Sequence, residues 1–230
     1  MADLHVLQHV PYETPGGIAT WATERRHRLT TSMPAAGDDL PSPSDLDLLV
    51  ILGGPMSAYN EDQHFWMGAE KDLVQRCHDA DVPMLGVCLG AQVMADALGG
   101  DVTPMEGHEQ GWFPVRWTEE ARDHPILDGV PDRPLVFHWH GDVFTPPDRS
   151  LALASSEPCD QQGFLLDDRV LGLQFHLEIT PEAVDELWRR SGEKPASPED
   201  DPPRGPGSRG LYERNQRLMS MFLDRISGGL

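Results

Sequence analysis

Apolar positions along the chain come in short runs whose period changes from segment to segment. Residues 4–10 read as a first strand, and Gly16-Gly17 opens a helix that runs through Trp21 and Arg25. Residues 47–52 (DLLVIL) are almost continuously apolar, as expected of a strand buried on both faces. That run ends in Gly53-Gly54-Pro55, a turn at which backbone can approach something closely. From 63 to 80 the period is helical, with Trp66, Ala69, Leu73, Val74 and Cys77 at spacings of three and four. Residues 82–87 form the next apolar run, and 89–98 the next helix, stopped by Gly99-Gly100. Alternation of this kind predicts an α/β fold: a mostly parallel sheet covered by helices.

Beyond Asp101 the pieces become shorter and extended: 112–117, 135–139, 151–155, 163–166 and 170–175. They are expected to extend the central sheet with antiparallel members. A helix over 181–190 carries proline in its first turn. Residues 191–209, rich in Pro, Gly and charge, predict a mobile loop. A final amphipathic helix places Leu211, Leu218, Phe222 and Ile226 on one face. With no internal repeat and 230 residues, a single domain spanning 1–230 is expected.

Composition narrows the function classes. There are 38 acidic side chains against 18 Lys plus Arg, a formal charge of −20, and a field this negative repels phosphate backbones. Nucleic-acid binding is therefore not expected. Scarce lysine (Lys71 and Lys194) beside abundant Asp would suit a salt-adapted or GC-rich source, but a solvated acidic surface is the simpler reading. No apolar run reaches the ~18 residues of a membrane span. The opening Met1-Ala-Asp-Leu-His has no secretory pattern. Three cysteines without a CxxC pair favour a reduced, cytoplasmic chain over a disulfide or zinc scaffold.

One segment carries chemistry. In Gly86-Val-Cys-Leu-Gly-Ala-Gln92 a buried strand runs into Cys88 and a helix starts at once. Glycines two before and two after the cysteine leave room for a sharp strand–turn–helix bend that lifts the thiol above the sheet. The helix N-terminus favours thiolate and offers free N–H groups. Such a nucleophile needs an oriented base. His176, at the end of the apolar strand 170–175, supplies it. Glu178 lies two residues on and in phase on extended chain, so it can hold the far ring nitrogen. The N–H groups of Leu89 and Gly54 are candidates to stabilise the substrate oxyanion.

At these residues the chain resembles the class I (triad type) glutamine amidotransferases. The likeness rests on Gly53-Gly54-Pro55, the Gly-x-Cys-x-Gly-x-Gln elbow at 86–92 and Phe-His-x-Glu at 175–178, in the family's order, and spans about 46–180. It implies a flavodoxin-like three-layer fold, glutamine as substrate, a γ-glutamyl thioester on Cys88, and ammonia as product. On the same resemblance Gln92 contacts glutamine. His138-Trp-His-Gly-Asp142 is similar to a Ser-His-Gly-Asp segment of the GMP synthetase branch, which places His140 and Asp142 at the pocket. Leu177 stands where the family commonly has proline, and Ala91 where many GMP synthetase glutaminase domains have histidine. The chain is thus expected to be a stand-alone, GMP-synthetase-like member, since no synthetase segment follows before Leu230. A separate synthetase would be the partner accepting ammonia.

Other readings fit some of the same residues. Hydrolysis of γ-glutamyl peptides or amines uses the same triad, and a regulatory domain could keep the fold without the chemistry. His138, His140 and Asp142 could be metal ligands on one strand face, but a further ligand at suitable spacing is missing, so no metal or cofactor is expected. Cys77 and Cys159 read as small apolar residues. His64, His78, His108 and His124 read as solvated or capping side chains, and Trp66, Trp112, Trp117 and Trp188 as packing. Glu109, ahead of Gly111-Trp112, falls near the expected pocket and receives no role.

Overall fold

A computed structural model describes residues 1–192 and 206–230. Five parallel strands form its centre: β1 (Asp3–Leu7), β2 (Arg28–Ser32), β3 (Leu48–Ile51), β4 (Met84–Val87) and β10 (Val170–Leu173). The remaining members β6 (Arg116–Trp117), β8 (Leu151–Ser155) and β9 (Gly163–Leu166) are antiparallel, giving the order β2-β1-β3-β4-β10-β9-β8-β6. The parallel half follows the 2-1-3-4-5 order of flavodoxin-like sheets. Its strands β3, β4 and β10 are buried at every position, which is why they read as unbroken apolar runs.

Helices cover both faces. Helix α1 (Gly16–Glu24) buries Ile18, Trp21 and Ala22 at helical spacing and packs with α6 (Pro206–Ile226) through Leu218, Met219 and Phe222. On the opposite face α2 (Trp66–Asp79) and α3 (Leu89–Ala97) contribute Met67, Leu73, Val74, Val93 and Met94. Two further helices lie to the side, α4 (Glu119–Arg122) and α5 (Pro181–Ser191), each capped by a threonine hydroxyl, Thr118 and Thr180. Gly192 in the left-handed region (φ 73°) ends α5.

The structure departs from the sequence-based expectations in four places. Strand β2 has no counterpart among them: its RLTTS sequence is polar because it is an edge strand. The piece at 135–139 does not extend the main sheet. It belongs to β7 (Leu135–Thr145), which pairs with β5 (Asp101–Pro114) in a separate antiparallel ribbon, shifted in register between Pro104 and Glu109. Within the expected extension, β10 is parallel to β4. Of the loop expected over 191–209, Ser191 instead closes α5 and 206–209 open α6, while 193–205 lie outside the described residues.

Candidate active site

The carboxyl ends of the parallel strands converge on one cavity of about 520 Å³, the place where open α/β sheets bind ligands. The segment after β1 brings Tyr12 and Glu13 to its lining, β3 leads to Gly54 and β4 to Cys88, while His176 and Glu178, which follow β10, are buried and are not among the lining residues.

Cys88 is both the last residue before α3 and a strained one, with φ 53° and ψ −111°. A non-glycine residue held there marks an over-determined turn. The flanking glycines explain the determination. A methyl at Gly86 would fall 2.6 Å from Gly90 O, and one at Gly90 would fall 2.0 Å from Ile51 O. Helix α3 therefore lies directly on β3 and β4, with the sulfur lifted to the cavity. The thiol points to Trp139 O at 3.6 Å.

His176 is 2% exposed and its Nδ1 donates to Glu178 Oε1 at 2.7 Å. Among the described residues its other nitrogen, Nε2, has no conventional hydrogen bond, although Cys88 is its neighbour. Burial alone would lower the imidazole's pKa. The Glu178 carboxylate and the Cys88 sulfur outweigh it and hold the ring well above the ordinary histidine value. Glu178 is itself fixed from the start of the chain: Gly17 N donates to Glu178 O at 2.8 Å. Gly16 (φ 43°) sits so close that a methyl there would be 2.1 Å from the same oxygen. In contrast, burial pushes the thiols of Cys77 and Cys159 up to about 11.

Gly54, Gln92, His140 and Asp142 all line the cavity with Cys88. Gln92 Nε2 is engaged by Gln174 Oε1 (3.1 Å) and Asp142 O (3.3 Å), leaving Oε1 for a ligand. His140 borders the cavity but its ring is turned inward: Nδ1 donates to Asp142 O at 3.0 Å and Nε2 is 3.1 Å from Glu109 Oε2. The Asp142 carboxylate stays at the mouth, accepting from Tyr59 OH at 3.4 Å. Trp139 stacks on Phe137 and meets Trp188 edge-on at 4.7 Å, forming one wall.

The candidate metal-ligand set changes its third member. Among the described residues Glu109, His138 and His140 form a buried group whose donor atoms lie within 4.8 Å of one another, and Asp142 is not in it. Burial pushes His138 down to about 4. Burial also raises the Glu109 carboxyl, but the His140 hydrogen bond and His138 outweigh this and hold it below its usual range. Glu109 pairs with His140 across the β5–β7 ribbon. That pairing, together with Glu13 in the cavity and a buried His9–Glu70 pair, has no local sequence signal.

An α/β sheet with a cysteine at a strand–helix elbow, beside a buried His–Glu pair, has the arrangement of proteins built around an activated nucleophile. The glutamine amidotransferase class-I family matches residues 24–191, and the chain belongs to that family. It is 34% identical over 192 residues to the glutamine amidotransferase-like protein YfeJ of Salmonella typhimurium, covering 82% of this chain and 80% of that one. A glutamine-hydrolyzing GMP synthase subunit of Sulfolobus acidocaldarius is 37% identical over 139 residues, 59% of this chain and 69% of its own length. The glutamine-hydrolyzing GMP synthase of Lacticaseibacillus rhamnosus is 34% identical over 133 residues, and this chain spans only 24% of its length. Among solved structures, a glutamine amidotransferase from Methylobacillus flagellatus superposes with TM-score 0.89 at 26% identity, covering 100% of this chain and 96% of the other. One from Thermotoga maritima gives 0.82 at 28% identity, with 98% coverage of both. No helix among the described residues is long and apolar enough to cross a membrane.

Proposed function

We propose that the chain is a cysteine-dependent glutaminase of the amidotransferase type. Cys88 sulfur, its proton already held on His176 Nε2, attacks the γ-amide carbon of glutamine. Glu178 holds the ring's other nitrogen and stabilises the imidazolium. Gly54 and Leu89 N–H groups receive the carbonyl oxygen as it becomes negative. Collapse of the adduct breaks the C–N bond, His176 gives its proton to nitrogen, and ammonia leaves a γ-glutamyl thioester. Water, deprotonated by His176, releases glutamate and restores the thiolate. Gln92 and Asp142 bind the substrate's polar end, with His140 holding Asp142.

The observation that carries this reading is the strained Cys88 at the head of α3, beside an imidazole whose far side is tied to Glu178 at 2.7 Å. Incubation with glutamine should yield equal amounts of glutamate and ammonia, and Cys88→Ala should abolish both. Undiminished turnover by that variant refutes the mechanism. Likeness to a GMP synthase component that is a separate chain supports a separate synthetase as ammonia acceptor.

A second reading is suggested by an arginine at the mouth of the cavity, whose 520 Å³ lies within the ~300–1,000 Å³ of small-molecule sites generally. Arg190, stacked over Tyr12 at 4.2 Å and ion-paired through Nε with Glu186, lines the mouth. A γ-glutamyl peptide, whose leaving amine bears a carboxylate, would fit that arrangement. Relative kcat/KM on glutamine and on γ-glutamyl dipeptides separates the two.

A further inference from the structure

Two buried titratable groups beside the cavity take no part in the proposed chemistry. His9 follows β1 and Glu70 lies on α2, and both side chains have 0% exposure. His9 Nε2 is 3.0 Å and 3.1 Å from the two oxygens of Glu70, and Nδ1 is 3.0 Å from Gly53 O. A carbonyl and an ionised carboxylate can only accept, so the ring donates from both nitrogens. Stacking on Trp66 at 5.1 Å fixes the plane of the ring. Isolated from water, such an ion pair contributes little net stability and can even cost some, so its retention asks for another explanation.

We propose that His9, held by Glu70, is a positioning residue: it clamps the Gly53 carbonyl and so aims the Gly54 N–H at the substrate oxygen. The inference rests on the reading of the site given above. In a trans peptide the C=O and the N–H point in opposite directions, so anchoring one on His9 turns the other away from it. The 53–54 peptide is trans, and among the described residues Gly54 N–H donates to no backbone carbonyl. Gly54 lines the cavity with Cys88.

The need for an outside clamp follows from the residues themselves. A methyl at Gly53 would meet Glu13 Oε2 at 2.2 Å, and one at Gly54 would meet Leu89 Cδ2 at 2.9 Å and His9 Cβ at 3.1 Å. Crowding is tightest at Gly54, while at Gly53 the obstacle is the far end of the Glu13 side chain, and a Gly-Gly peptide has little steric preference for the orientation of its plane. His9 removes that freedom. Glu13, the other charged group acting on His9, faces His176 and Glu178 as well.

The test replaces both members, His9→Phe with Glu70→Met, so that the ring stack remains and no charge is left buried alone. His9→Asn is the companion, since its amide nitrogen can take the place of Nδ1 and donate to Gly53 O. Three readouts are compared: steady-state glutamine hydrolysis, capture of a γ-aldehyde analogue of glutamine as a hemithioacetal, and alkylation of Cys88 by iodoacetamide. The last is displacement at a saturated carbon and creates no carbonyl oxyanion. Loss of an oriented donor predicts kcat lowered roughly 10- to 100-fold with KM little changed. Aldehyde capture should weaken in parallel, alkylation should be unaffected, and His9→Asn should recover most of kcat. Wild-type kcat in the double variant overturns the proposal. So does an alkylation rate that falls in step with kcat, because that would be a general packing effect. A wild-type protein that neither hydrolyses glutamine nor captures the aldehyde overturns the underlying reading of the site instead, and the proposal with it.

Discussion

Adding one methyl group at Gly90 tests how closely the elbow is built. In Gly90→Ala the new Cβ would sit 2.0 Å from Ile51 O, 2.6 Å from Ile51 C and 3.0 Å from Ile51 Cβ. Carbon–oxygen contacts settle near ~3.3 Å, so the head of α3 must withdraw from β3 by about 1 Å. Ile51 is the last residue of a fully buried strand and cannot retreat in its place. Cys88 lies two residues upstream and moves with the helix. Overpacking of this kind costs roughly 1–3 kcal/mol, which leaves a folded protein. Misplacing a reacting atom by about 1 Å costs on the order of 100-fold in rate. Glutamine hydrolysis by Gly90→Ala should therefore fall about 100-fold in kcat, while urea denaturation shows a cooperative transition shifted by no more than the overpacking cost. Full activity in this variant would show that the sulfur's position is not set by the contact of α3 with β3.

Two further outcomes follow from the titrating groups. With Cys77 and Cys159 pushed up to about 11, roughly one in a thousand of each is thiolate at pH 8, so brief iodoacetamide treatment should modify a single thiol, Cys88, by peptide mass mapping. Comparable labelling of either buried cysteine would contradict this. The raised pKa of His176 means that the folded chain keeps a proton the unfolded chain releases near 6.5. Its contribution to stability is complete below about pH 6.5 and is lost as pH rises through the folded value. Glu178→Gln removes the main cause of the upward shift and leaves burial to lower the pKa. The stability gap between wild type and variant in urea should then be larger at pH 5.5 than at pH 9, and a gap that widens with pH rules the reasoning out.

Much of this was legible in the sequence, for identifiable reasons. Strands β3, β4 and β10 are buried on both faces, so their apolar runs are unbroken, and the turns that follow them carry Gly53-Gly54, Cys88 and His176. The elbow was readable because the two glycines that its contacts with Gly90 and Ile51 require lie two residues on either side of Cys88. What escaped depends on distant chain meeting chain. His9 and Glu70 are 61 positions apart, and nothing local to either announces the other. Glu109 finds His140 only through a ribbon whose register slips between Pro104 and Glu109. Strand β2 was hidden by its edge position, where pairing with β1 alone leaves one side to solvent and permits RLTTS. Glu13 fills space that the missing side chain of Gly53 leaves open.

The ribbon of β5 and β7 is hydrogen-bonded as a sheet of its own, joined to the end of β10 where His176 N donates to Phe137 O at 2.8 Å. It contributes Trp139, His140 and Asp142 to the mouth, whereas the reactive sulfur stands on the main sheet. On the proposed mechanism the attacking sulfur and the groups at the mouth thus stand on different sheets, which α3 also joins through Gln92 Nε2 and Asp142 O at 3.3 Å. On that reading, substitutions at Trp139 or Asp142 on the ribbon would alter which amides are admitted without touching the strand–helix turn that holds the sulfur.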